Sequence, residues 1–515
     1  MLDASLVLKR ITYTYESEEA PALQDLSLVV RPGEWVAIAG RNGSGKSTLC
    51  GLMTGYLPRI AGGKREGVLQ VGGVDPAEAD IADLAVRVGM VFQDPDAQLV
   101  QGVVQDEVAF GPENLCVSPQ EIEQRLQLAL RDVQLEQQRA SKVRELSGGQ
   151  RQRTAIAAVL SMETPILIFD EPAASLDKSA RQRLIAVLRR LHGEGRTVLT
   201  VSARLDEIAG AAERLVVLER GRVALDGKAE QLLKEQRPRL QQLGVLPAGP
   251  PSVAGGGTNR SIGQAASSSA APAASGREPL LELRQLSFRY PGGQQQALRD
   301  VSLSLRPGSW TLLCGENGSG KTTLSRLLMG LLPLPKGSVY WDGQDAARLG
   351  TDRLAGEIGY VFQEPDDQFV AGTVLEEMLY GPLASRQRRR FARRRKEVPG
   401  AELEALKTRA LLLLHSAGLA GKENASPYLL SGGEKRLLSA AAQFMVPKRL
   451  YILDEPTSGT DYAACGLMKQ LCLQAIEKGA ALLMITHEPE QFAAAADTVI
   501  TLDQGRVLKC KSHGL

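Results

Sequence analysis

The feature that most limits how this chain can fold is an ordered set of short strings that occurs twice. Lys46 in GRNGSGKST returns as Lys321 in GENGSGKTT, Gln93 in GMVFQDPDAQ as Gln363 in GYVFQEPDDQ, and Ser147 in LSGGQRQR as Ser431 in LSGGEKRL. Asp170 in ILIFDEP returns as Asp454 in YILDEP, and ERGRV from Glu219 as DQGRV from Asp503. The paired positions lie 275, 270, 284, 284 and 284 residues apart. Strings that repeat in one order at this spacing mark a duplicated fold. From Ser147 onward the register is constant, so later positions pair directly. The second copy gains fourteen residues between Gln363 and Ser431, a span that includes the basic stretch RQRRRFARRRK, Arg386 to Lys396.

A duplicated chain of 515 residues is expected to form two domains, 1–245 and 278–515. Between them, 246–277 is dominated by Ala, Gly, Ser and Pro without apolar periodicity, the composition of a flexible tether. Each copy alternates short β-rich runs, such as WVAIAG at Trp35 and TPILIFD at Thr164, with longer helical segments. That alternation predicts an α/β fold with a mostly parallel sheet covered by helices. Residues 113–140 and 383–425 read as mainly helical insertions that form a smaller lobe on each copy.

Composition removes several function classes. A net charge of +2 gives no reason to expect nucleic-acid binding. No apolar run approaches the length that spans a bilayer, and Met1 to Arg10 lacks the layout of a secretory signal. The six cysteines are scattered without a CxxC pair, which argues against a structural metal site and for free thiols in a reducing compartment.

The chemistry is carried by the repeated strings. Both GRNGSGKS and GENGSGKT fit the phosphate-loop pattern, each after a strand-like run and before a helix-like one. Glycines let such a loop turn its N–H groups onto phosphate oxygens, and the helix that follows adds its positive end. The nucleotide-binding candidates are therefore Gly40, Asn42, Gly43, Ser44, Gly45, Lys46, Ser47 and Thr48, and in the second copy Gly315, Asn317, Gly318, Ser319, Gly320, Lys321, Thr322 and Thr323. Lys46 and Lys321 are assigned to the β- and γ-phosphates of ATP, and Ser47 and Thr322 to Mg²⁺. Asp170 and Asp454 end apolar strand-like runs, where a carboxylate can orient Mg²⁺ through water. Glu171 and Glu455 come next and point the opposite way along a strand, which suits a group that positions or deprotonates the attacking water.

Together with LSGG and a downstream histidine, these strings resemble the ATP-binding-cassette superfamily over nearly the whole chain outside the tether. The resemblance implies two P-loop NTPase domains, each with a RecA-like core, a small antiparallel β subdomain and a helical subdomain. It implies that Tyr15 and Tyr290 stack on adenine. It also implies that Gln93 and Gln363 serve catalysis and the metal, and that each LSGG segment closes over the other domain's ATP in a head-to-tail sandwich. Those lids are Ser147, Gly148, Gly149 and Gln150, and Ser431, Gly432, Gly433 and Glu434.

The constant 284-residue register pairs Ala203, in TVSARLDE, with His487, in MITHEPEQ. The family's histidine that contacts the γ-phosphate is thus expected only in the second copy, because alanine has no hydrogen-bonding side chain. A site with Lys321, Gln363, Asp454, Glu455 and His487 is expected to hydrolyse ATP faster than one with Lys46, Gln93, Asp170, Glu171 and Ala203.

The strings QDPDAQ and QEPDDQ, with the residues that follow, further resemble the ATPases of energy-coupling factor (ECF) transporters. That resemblance implies import of a vitamin or metal-type micronutrient, including thiamine or hydroxymethylpyrimidine systems. The implied partners are a transmembrane scaffold (T-component) and a substrate-binding membrane subunit, with the chain held peripherally on the cytoplasmic face of the membrane. The rival reading is a tandem cassette acting on the ribosome. Such proteins usually carry a long charged helical connector and an NHLD string, where this chain has AASLD and SGTD.

Overall fold

The computed structural model describes residues 5–16, 18–174, 176–247, 278–292, 295–390 and 399–512, with no side-chain detail for 386–390 and 512. It divides into two compact units, one built on residues 1–247 and the other on 248–457 and 463–515. Residues 248–277, nearly all of the expected tether, lie outside the described residues, as does most of the basic stretch; its first part ends the helix Val374–Arg390.

The described residues of the first unit form nine strands: β1 (Leu6–Thr14), β2 (Leu23–Val30), β3 (Trp35–Ala39), β4 (Lys64–Val71), β5 (Val88–Val91), β6 (Ile166–Asp170), β7 (Thr197–Ser202), β8 (Arg214–Glu219) and β9 (Arg222–Lys228). They form an antiparallel sheet in the order β2-β1-β4 and a six-stranded sheet in the order β5-β6-β7-β3-β8-β9, parallel except for β9. The second unit repeats the plan with β10 (Leu281–Phe288), β11 (Leu298–Leu305), β12 (Trp310–Cys314), β13 (Val339–Trp341), β14 (Gln344–Asp345), β15 (Ile358–Val361), β16 (Leu450–Asp454), β17 (Ala481–Ile485), β18 (Thr498–Asp503) and β19 (Arg506–Ser512). Its sheets run β11-β10-β13-β14 and β15-β16-β17-β12-β18-β19.

Each large sheet is buried on both faces, which is why its strands read as continuous apolar runs. On β3 the alternation is explicit. Trp35, Ala37 and Ala39 enter the core shared with the helical lobe, and Val36 and Ile38 enter the core shared with the antiparallel sheet. The nucleotide-binding elements therefore rest on a strand anchored from two sides.

The helical lobes begin earlier than the sequence suggests, at Val104–Asn114 with Pro119–Asp132, and at Val374–Arg390 with Gly400–Ser416. The Gly-Pro pairs at 111–112 and 381–382 look like breaks, yet both prolines sit inside helices. A proline removes the N–H that would bond the carbonyl four residues back. In the first unit that carbonyl belongs to Val108, and Ser161 Oγ meets it at 2.7 Å. The one proton of that hydroxyl can go to Val108 or to the Ala158 carbonyl at 2.8 Å, and in the first case a neighbouring helix supplies the bond the proline withholds.

Candidate functional site

Both phosphate loops leave a central strand and enter a helix, Lys46–Met53 after β3 and Lys321–Leu328 after β12. The last glycine of each is left-handed, Gly45 at φ 98° and Gly320 at φ 103°. A β-carbon there would stand 2.9 Å from the Ala22 carbonyl oxygen in one unit and 2.6 Å from that of Ala297 in the other. Only glycine meets both demands. Lys46 Nζ donates to the carbonyls of Gly40 (2.6 Å) and Arg41 (3.0 Å), and Lys321 Nζ to those of Gly315 (2.8 Å) and Glu316 (2.9 Å). Each ammonium is held over its own loop. Burial lowers the Lys46 pKa, opposed by Glu171 and Asp170 nearby.

The two loops also share buried polar atoms that have no hydrogen-bond partner among the described residues: Ser44 Oγ and Ser319 Oγ, and Asp170 Oδ1 and Asp454 Oδ1 at the strand ends. Unpaired buried oxygens are costly, and clusters of them call for a ligand. Hydroxyls inside an N–H-rich loop suit phosphate, and carboxylate oxygens beside them suit a hydrated divalent cation. The donor set thus fits MgATP, with Ser47 and Thr322 at the second position of each helix. When bound, Mg²⁺ neutralises phosphate charge. Burial pushes both aspartates up to about 6, against the pull of Lys46 on Asp170; Asp454 is raised further by Glu455.

Glu171 and Glu455 take the same backbone form, φ 50° and φ 49°, and their N–H groups donate to Val201 (2.9 Å) and Ile485 (3.0 Å). Left-handed backbone is uncommon for glutamate and concentrates at functional sites. Enclosure pushes the Glu171 carboxyl up to about 8, with Lys46 opposing and Asp170 adding. At the end of the next strand the units part. His487 Nε2 lies 3.0 Å from Glu455 Oε1, and the His487 N–H points at Oε2 at 3.4 Å. Its counterpart Ala203 is buried and only 1% exposed.

Tyr15 and Tyr290 share one setting. Each hydroxyl meets a threonine of its phosphate-loop helix, Thr48 at 2.9 Å and Thr323 at 3.1 Å, and each ring meets a neighbouring aromatic edge-on. Ser147 and Ser431 are N-caps of the helices Gly148–Ser161 and Gly432–Phe444, closed by Gln150 and Glu434 in complete capping boxes. Glu434 keeps the cap and adds an ion pair with Lys422 at 2.6 Å. Gln93 is exposed and Gln363 half-buried, each just beyond the end of its strand.

Several residues that hold the site escaped sequence reasoning. Buried Glu107 Oε2 accepts from Val100 (2.8 Å) and Gln101 (2.6 Å), and buried Glu377 Oε2 accepts from Val370 and Ala371 (2.9 Å each), so each fastens the far end of a glutamine loop. The two glutamates sit 270 positions apart, the same offset as Gln93 and Gln363, and that offset was the available signal. In the second unit Arg436 Nη1 also donates to the carbonyls of Gln363 (2.8 Å) and Glu455 (2.9 Å), tying the helix that opens at LSGG, the signature helix, to both.

Two phosphate loops, two strand-end acid pairs and two capped signature helices define a duplicated nucleotide-hydrolysing cassette. Comparison with known proteins agrees. The family model described as "ABC transporter" matches residues 23–174 and 298–458. A protein of Methanosarcina mazei named "Putative ABC transporter ATP-binding protein" is 33% identical over 98% of this chain and 88% of its own length. Bacillus subtilis (strain 168) has a relative named "Putative HMP/thiamine import ATP-binding protein YkoD", 33% identical over 97% of this chain and 90% of its own. Among solved structures, cbiO1 from Clostridium perfringens, titled as part of the ABC transporter complex cbiONQ, covers 47% of this chain and 96% of itself at 31% identity and TM-score 0.41. The chain belongs to the ABC transporter family, as a tandem pair of its ATPase domains. It binds and hydrolyses ATP with Mg²⁺. Among the described residues no helix is long and apolar enough to cross a membrane.

Proposed function

We propose that the chain is the fused ATPase pair of an ECF-type importer for a vitamin or metal-type micronutrient. It docks from the cytoplasmic side on a transmembrane scaffold that also carries a substrate-binding membrane subunit. The domains are 1–245 and 278–515, joined by the tether 246–277. In the working state each LSGG segment closes over the ATP of the other domain. Lys46 and Lys321 hold the phosphates, Ser47, Asp170, Thr322 and Asp454 hold Mg²⁺ with Gln93 and Gln363, and Tyr15 and Tyr290 stack on adenine. Glu171 and Glu455 position the attacking water, and His487 holds Glu455 and the γ-phosphate in register.

The observation that carries the transport reading is the pair of acidic glutamine loops. Each follows a core strand and is pinned at its far end by a buried glutamate, which makes it a firm platform next to the nucleotide. The import name of the Bacillus subtilis relative supports the same reading. The test is purification of tagged chain from gently solubilised membranes. Co-elution of two integral membrane proteins in fixed ratio is expected. Recovery with ribosomes, and with no membrane protein, would overturn it in favour of the translational class.

A further inference from the structure

Asp170 and Asp454 hold the same place in their units, but two residues with no assigned part in nucleotide binding make their surroundings different. Asp454 is 1% exposed. Its Oδ2 lies 3.2 Å from the Tyr360 hydroxyl and 3.3 Å from Ser325 Oγ, and the two hydroxyls are 3.0 Å apart. Ser325 comes from the helix Lys321–Leu328 and Tyr360 from β15, so the three oxygens join three separate elements. The other oxygen, Oδ1, has no partner among the described residues.

In the first unit the phosphate-loop offset pairs Ser325 with Cys50, and the glutamine offset pairs Tyr360 with Met90. Cys50 is fully buried, and a thiol is a weak donor; methionine donates nothing. Neither can fix a carboxylate as two hydroxyls do.

The geometry points to Ser325 and Tyr360 as positioning residues for magnesium. They engage Asp454 Oδ2 and leave Oδ1 as the oxygen that would serve a hydrated Mg²⁺, and the second unit would thereby hold the tighter metal site. This rests on the reading above that Asp454 serves Mg²⁺. Each hydroxyl carries one proton. Tyr360 donates to Asp454, while Ser325 donates to Asp454, to Tyr360 or to the Thr322 carbonyl 3.0 Å away. Linked hydroxyls polarise one another and hold the carboxylate in one rotamer. Thr322, the hydroxyl assigned to the metal, stands one turn earlier on the same helix, so one serine braces both sides of that site.

Mn²⁺ binding, followed by electron paramagnetic resonance on the full chain with a non-hydrolysable ATP analogue, tests this. Two classes of site are expected. Tyr360→Phe keeps the ring and Ser325→Ala keeps the helix, and each is expected to weaken the tighter class by about 10-fold, the low end for residues that orient metal ligands. Binding of a fluorescent ATP in EDTA should not change. The paired change Cys50→Ser with Met90→Tyr should tighten the weaker class. Asp454→Asn separates the two levels of the argument. If it weakens Mn²⁺ while Tyr360→Phe and Ser325→Ala do not, the positioning role is wrong and the metal reading stands. If it has no effect, both fall. Equal loss of metal-free nucleotide binding in Tyr360→Phe and Ser325→Ala would show a structural role only and overturn the inference.

Discussion

In the second unit Asp454 meets Ser325 and Tyr360 and Glu455 meets His487; in the first, the repeat register puts Cys50, Met90 and Ala203 at those three positions. The backbones beneath are alike. Both glutamates are left-handed within a degree of each other, both glycines that open the helices are near φ 100°, and both lysines bond the same two loop carbonyls. The difference is therefore confined to side chains one strand or one helix away from the acids. A duplicated scaffold can keep its phosphate cradle twice and its proton-handling groups once, because the cradle is made by backbone and the rest by side chains. The inequality is also not a simple loss. The second signature carries Glu434 where the first has Gln150, but the cap survives and gains Lys422.

The largest expected effect breaks the comparison at the histidine. His487→Ala should lower kcat by about 10²-fold with little change in ATP affinity, the scale of losing one positioned contact to transition-state charge. Steady-state ATPase assays read this directly. Ala203→His, built into the first unit, should add at most a few-fold, because Ala203 is buried and a larger side chain there must displace its neighbours.

A smaller effect separates the helical lobes. Ser161→Ala leaves the Val108 carbonyl without its donor and should cost about 1–3 kcal/mol in denaturant unfolding, the range for a buried unsatisfied group. In a Pro112→Ala background that cost should shrink, since the backbone N–H returns; equal costs in both backgrounds would show that the serine does not serve the proline. The second unit's counterpart of Ser161 is Met445, which has no hydroxyl to lend. Smallest of all is Glu434→Gln. It removes the partly exposed Lys422 pair but keeps the cap, so thermal stability should change by less than about 1 kcal/mol.

What was legible in the sequence is what is local. The phosphate loops, strand-end acids and capped LSGG helices each occupy fewer than about ten consecutive residues, and their spacing states their geometry. His487 against Ala203 was legible because the repeat supplies its own alignment. The groups that brace the acids were not. Tyr360 reaches Asp454 across 94 positions and Ser325 across 129, so no window contains both partners. The first lobe was expected only from 113, yet its first helix runs Val104–Asn114 through Pro112, where the Val108 carbonyl is met by Ser161, 53 residues further along the chain. Glu107 and Glu377 stood in plain repeat register, but a buried glutamate that caps a loop looks like any other helix-start acid until the fold closes over it.

The central claim is that the two ATP sites are unequal and that the second one carries turnover. Single-turnover hydrolysis by Glu455→Gln and by Glu171→Gln, measured side by side on the full chain, tests it most directly. The expected result is a fall of about 10²-fold or more for Glu455→Gln and of less than about 10-fold for Glu171→Gln. Equal falls, or the larger one in Glu171→Gln, would contradict the account.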